Sequence, residues 1–156
     1  MSTTTALSTR RLDTALAILR VVVGLVFLVH GGQKLFVYGF AGVGAGFAQM
    51  GIPMASVVGP VIGLLEFFGG AAILFGLLTR LAGLGLALNM LGAIAMVHGK
   101  NGFFMPTGIE YALTLLGASA ALALTGAGRF SLDALIAGRT RRSTTGTAAS
   151  SIRRVA

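Results

Sequence analysis

The stretch LRVVVGLVFLVHGGQKLF, residues 19–36, decides what kind of molecule this chain is. Its first half is almost wholly apolar, and no turn signal separates it from the polar residues His30, Gln33 and Lys34. A charge near the middle of a membrane helix costs roughly 2.5–3.5 kcal/mol. Polar side chains on such a segment therefore usually face a bundle interior and find partners there.

Composition fits that setting. The chain is 55% hydrophobic and 10% charged, with a mean hydropathy of +0.90, whereas a soluble domain carries about 25% charged residues. The 24 glycines show no three-residue period and suit close backbone packing between membrane helices. There is no cysteine, which excludes disulfides, thiolate nucleophiles, persulfide carriers and cysteine-bound metals. The net charge of +8 does not point to nucleic acid. The arginines flank apolar runs or lie in the tail, and no aromatic-rich soluble module is available to read bases.

Periodicity and breakers predict an all-α membrane protein with four transmembrane helices, roughly 13–37, 57–78, 80–98 and 107–126. Arg20, Lys34 and Lys100 aside, every Lys and Arg clusters with the N-terminus, the loop at Arg80 or the tail. The positive-inside rule then places both termini in the cytoplasm of a bacterial plasma membrane protein. A cleaved signal peptide is the competing account of the first span, but the segment is long, contains Arg20 and lacks a small-x-small cleavage site.

Residues 39–56, GFAGVGAGFAQMGIPMAS, carry no charge and are too short and glycine-rich to span. Phe40, Val43, Phe47, Met50 and Met54 recur at helical spacing. This predicts a short outer-side interfacial or re-entrant helix over the mouth of the bundle. Gly42, Gly44 and Gly46 do not match GxGxxG, and no strand precedes them. The expected organisation is a basic cytoplasmic N-terminus over 1–12, a membrane domain over 13–137 and a disordered basic cytoplasmic tail over 138–156. The tail's arginines favour anionic headgroups by about 1 kcal/mol each.

Arg20, His30 and Lys34 share a stripe about 80° wide on the first helix, with Gln33 beside it. Counting about 1.5 Å per residue places His30 roughly 10 Å, and Glu66 roughly 13 Å, below the outer boundary. Lys34 and Glu110 lie nearer that boundary. The level-matched pairs are then His30 with Glu66 and Lys34 with Glu110. Arg20 falls in the inner half, where it reaches the interface or Asp133. Val29-His30-Gly31 followed by Lys34 is echoed by Val97-His98-Gly99 followed by Lys100, and Glu66-Phe67 by Glu110-Tyr111. The echo suggests two related helical hairpins, each bringing a His and a Glu together.

Four segments then resemble one family. LRVVVGLVFLVHGGQKLF, MGIPMA, LLEFFGGAAILFGLLTRLAGLGLAL and GAGRFSLDAL resemble, in order, the DoxX family. Its members are small four-helix membrane proteins related to a subunit of thiosulfate:quinone oxidoreductase. Matching positions include Arg20, His30, Lys34, Glu66, Arg80, Glu110, Ser131 and Asp133. The resemblance implies work with quinone-linked oxidoreductases, or with partners that handle oxidative and thiol stress. Without cysteine, sulfur transfer would fall to a partner subunit, so the chain is expected to be a subunit and not catalytic alone.

Two accounts of the polar residues stand side by side. In one, His30, Lys34, Glu66 and Glu110 form a cofactor-binding site for a quinone headgroup, supplying hydrogen-bond donors and a proton route. In the other, the network only fixes helix register in a scaffold or small-solute permease. Haem clamped by His30 and His98 is disfavoured by their unequal depths. No HxxxH or ExxH spacing supports a metal. Expected partners are membrane lipids and either other subunits of a redox complex or further copies of the chain, not nucleic acid. Asn89 is expected to hydrogen-bond between helices, and Gly59-x-x-x-Gly63 and Gly117-x-x-x-Ala121 to form packing seams. Arg80 serves as a topology anchor. Ser131 is expected to cap a short helix whose first turn holds Asp133.

Overall fold

The computed structural model describes residues 3–138. Six helices follow one another: α1 (Thr3–Gly32), α2 (Gly39–Gln49), α3 (Ala55–Phe75), α4 (Thr79–Ala93), α5 (Glu110–Thr125) and α6 (132–138), with no strand among the described residues. A wide π-helical turn, Gln33–Tyr38, extends α1, and a second, Ile94–His98, extends α4. Unequal helix ends follow from the breakers. TALSTRRLDTAL contains no Gly or Pro, so α1 begins well before residue 13. The expected tail over 138–156 lies, but for Gly138, outside the described residues.

The chain is an all-α membrane protein. Its apolar helical stretches cover Thr9–Gln49, Ala55–Phe75 and Thr79–Asn101, of 41, 21 and 23 residues. A crossing needs about 20 residues, so the first stretch must break. It does so at Gly39, whose φ of +66° ends the π turn and re-aims the chain into α2. Helix α5, at 16 residues, falls short of that length. It still joins the loop beside His98 to the opposite end of the bundle, where Gly126 packs on Arg80. Val21, Val22, Leu25, Leu84, Leu88 and Leu91 are all exposed. An apolar belt of this kind is what lipid, not water, accommodates.

Helices α1 and α3 meet backbone to backbone. A Cβ at Gly31 would run into Phe67 N, and one at Gly70 into Leu28 N. Small residues at such crossings let dispersion contacts replace the hydrophobic drive that lipid does not supply. The Gly59/Gly63 seam is also internal, packed on Val43 of α2 and Leu35 of the π turn, whereas Gly117 meets no atom within 4 Å. Val23 and Phe27 of α1, Ile73 of α3, Leu86 and Met90 of α4, and Leu115 and Leu122 of α5 form the core.

The α3–α4 turn carries the termini-side end of the bundle. Ser131 Oγ accepts from Ala134 N–H at 3.2 Å, capping α6 as expected. Asp133 does more than suit its own helix. Its two carboxylate oxygens accept the N–H groups of Leu78 and Thr79, at 2.8 and 3.1 Å, and so cap α4. Arg20, only 3% exposed, donates to the Phe130 carbonyl, while Asp13 accepts from Arg129 N–H at 3.0 Å. Arg20 therefore braces the 126–131 loop instead of reaching the interface.

Candidate functional site

Above the core, toward the end remote from the termini, four helices each contribute a polar side chain. The π turn after α1 swings Lys34 inward, where its ammonium pairs with Glu66 Oε2 of α3. Asn89 of α4 donates to Glu66 Oε1 at 3.0 Å, which is the interhelical role expected of it. Glu66 is 4% exposed, and both of its oxygens are occupied. A carboxylate buried in an apolar bundle persists only with this kind of pairing.

The fourth helix enters through Tyr111, whose hydroxyl lies 3.2 Å from His30 Nε2. The two rings are tilted, with centroids 6.0 Å apart. His98 Nδ1 lies 2.9 Å from the Thr107 carbonyl. Because a carbonyl only accepts, Nδ1 of His98 carries a proton.

These groups open on one cavity of about 720 Å³, lined by His30, Lys34, Glu66, Asn89, His98 and Tyr111 together with a mostly apolar wall that includes Val26, Phe27, Ile62, Leu65, Met90, Met96 and Leu115. Phe47, Met50 and Ile52 also line it. Helix α2 and the turn after it thus flank the cavity, having packed across the start of α3 through Gly44 on Ser56 and Val43 on Gly59. A volume of several hundred cubic ångströms with a few convergent polar groups is typical of a small-molecule site.

Three of the four expected site residues, His30, Lys34 and Glu66, line this cavity. The structure re-partners them. Lys34 reaches Glu66, not Glu110, and His30 meets Tyr111, not Glu66. A lysine side chain spans more than a helical turn of depth, a reach that counting backbone rise ignores. Glu110 is the first residue of α5. Its Oε1 accepts Met105 N–H at 2.9 Å, pinning the preceding loop, and it does not line the cavity. Neither hairpin pairs its own His with its own Glu, and the two π turns fall differently on the echo, the first starting after His30 and the second ending at His98. Asn89 and Tyr111 complete the site without having been singled out for it. Their one signal was polarity on an otherwise apolar helix.

A multi-pass helical membrane protein with a polar-headed apolar cavity is the class that fold and site define. Within it the chain belongs to the DoxX family, whose model matches residues 15–99. It is 38% identical over 119 residues to "Putative oxidoreductase CatD" of Bacillus subtilis, covering 76% of this chain and 84% of that protein. It is 35% identical over 130 residues to "Inner membrane protein YqjF" of Escherichia coli, covering 80% and 93%. A Mycobacterium tuberculosis relative, "Uncharacterized membrane protein Rv3486", is 36% identical over 126 residues, covering 74% and 77%. No solved structure matches the chain significantly.

Proposed function

We propose that the cavity binds the headgroup of a membrane quinone, and that the chain is the quinone-interacting, accessory subunit of a membrane redox system. The observation that carries this is the placement of the buried Lys34–Glu66 pair. It forms part of the wall of a cavity of about 720 Å³ that is otherwise mainly apolar. A pair that served only to hold helices together would do so in filled space.

The donor set suits such a ligand. A quinone presents two carbonyl acceptors on an apolar ring, and when bound it supplies two-electron, two-proton redox capacity. Lys34, Asn89 and the His30–Tyr111 couple offer N–H and O–H groups to such acceptors. The isoprenoid chain of a quinone matches the apolar wall. The oxidoreductase in the name of the B. subtilis relative agrees with this reading.

With both termini in the cytoplasm, as the arginine distribution favours, the cavity lies toward the outer leaflet of the plasma membrane. Any sulfur transfer would fall to a partner subunit, since the chain has no cysteine. The permease alternative is weakened by the layer beneath the site. Phe27, Ile73, Leu86 and Leu122, each at most 1% exposed, lie between Glu66 and the Arg20 cluster along the helices and fill that layer mainly with apolar side chains. Organic extraction of protein purified from native membranes tests the proposal. It predicts quinone approaching one per chain by mass spectrometry, falling sharply in Lys34→Met. No quinone in wild type, with lowered stability as the only effect of Lys34→Met, would favour a scaffold.

A further inference from the structure

A second concavity lies at the opposite end of the bundle and belongs to none of the chemistry above. It is a groove of about 440 Å³ where the α3–α4 turn meets the segment after α5. Arg80 lines it and has neither an ion pair nor a hydrogen-bond partner among the described residues. Thr79 lines it too. That residue is fully buried, and its Oγ has no partner among the described residues.

Asp133 supplies the opposite charge. Each of its oxygens accepts one backbone N–H, and a carboxylate oxygen accepts two hydrogen bonds. Spare acceptor capacity therefore remains in the groove that Arg80 also lines. Arg20 interacts with Asp133 electrostatically, but it donates to Phe130 and does not line the groove. The rim is apolar: Leu78 and Leu81, both exposed, flank the charges. The groove sits where the apolar stretch of α3 ends and that of α4 begins, which is headgroup depth for a spanning helix pair.

A cation and an acceptor lining one groove, with leucines along it, complement a zwitterionic headgroup carrying an acyl chain. We infer that this groove is a specific site for an aminophospholipid, phosphatidylethanolamine. Its phosphate sits on Arg80, its ammonium on Asp133, and an acyl chain along Leu78 and Leu81. An arginine fork suits the phosphodiester, and the ammonium supplies the N–H donors that a quaternary choline lacks. This site is independent of the quinone reading.

Native mass spectrometry of the detergent-purified full chain tests it, with phosphatidylethanolamine, phosphatidylcholine and phosphatidylglycerol of identical acyl chains offered in equal amounts. The expected result is about tenfold preferential retention of phosphatidylethanolamine, the ratio one lost charge-assisted contact gives. Asp133→Asn, which removes the charge that holds the ammonium, should abolish the preference, whereas Arg80→Gln, which removes the partner of a phosphate common to all three lipids, should lower overall retention. Arg80→Lys, which keeps the charge, should lower it less. Arg129→Gln, outside the groove, should leave it intact. Millimolar free phosphoethanolamine should not displace the lipid. Equal or greater retention of phosphatidylglycerol, an undiminished preference in Asp133→Asn, undiminished retention in Arg80→Gln, or displacement by the free headgroup would overturn the assignment.

Discussion

Replacing Lys34 with Met removes the counter-charge of a carboxylate that cannot leave the bundle. Glu66 sits mid-helix in α3, and its side chain is 5% exposed against 21% for that of Lys34. Removing one partner of a buried pair costs about 3–5 kcal/mol, because the remaining charge is left uncompensated. The Asn89 hydrogen bond survives and a bond to a charged group contributes about 1.5–3 kcal/mol, so the cost should fall near the low end, about 3 kcal/mol. Glu66→Gln should be milder. The freed lysine is long and partly exposed and can turn its ammonium toward the headgroups, while the new amide oxygen still accepts from Asn89. The double variant Lys34→Met/Glu66→Gln leaves no charge to compensate and should recover to within about 1 kcal/mol of wild type. Equilibrium unfolding in mixed micelles across the four-member cycle measures this directly. A Lys34→Met variant as stable as wild type, or a double variant as impaired as the sum of the singles, would refute the buried-pair argument.

Other expectations follow from particular contacts. Gly70→Ala should prevent assembly or cost several kcal/mol, because its Cβ would enter the α1 backbone at Leu28. Gly117→Ala, with nothing within 4 Å, should be neutral or stabilising by up to about 1 kcal/mol; thermal unfolding of the pair checks both. Asp133→Ala should destabilise by about 1–2 kcal/mol through loss of the two-point cap on α4, with hydrogen exchange rising at Leu78 and Thr79. Tyr111→Phe should cost at most about 1 kcal/mol of stability, yet weaken quinone binding severalfold in a titration with a short-chain analogue.

Much of this architecture was legible because lipid imposes simple rules. Apolar length located the crossings, and the uncharged stretch after Tyr38 was recognisable as a separate short helix because it is too glycine-rich to span. Polarity in the wrong solvent pointed to Lys34 and Glu66. What could not be read was pairing, since rise per residue fixes Cα depth but not where a lysine head or a π turn delivers it. The same limit hid Asp133. Its local sequence says first turn of a short helix, and only tertiary docking makes it the cap of α4. Glu110 looked like a site residue because a carboxylate near an apolar helix looks costly. Placed at the first position of α5, it instead accepts a loop N–H and favours the helix dipole.

Photoaffinity labelling with an azido-quinone in native membranes tests the central claim most directly. If the cavity holds the headgroup, adducts will concentrate on the peptides carrying His30 to Lys34, Glu66, Asn89 and Tyr111, and excess unlabelled quinone will suppress them. Adducts scattered over the lipid-facing leucines such as Leu84 and Leu124, unaffected by competitor, would contradict it.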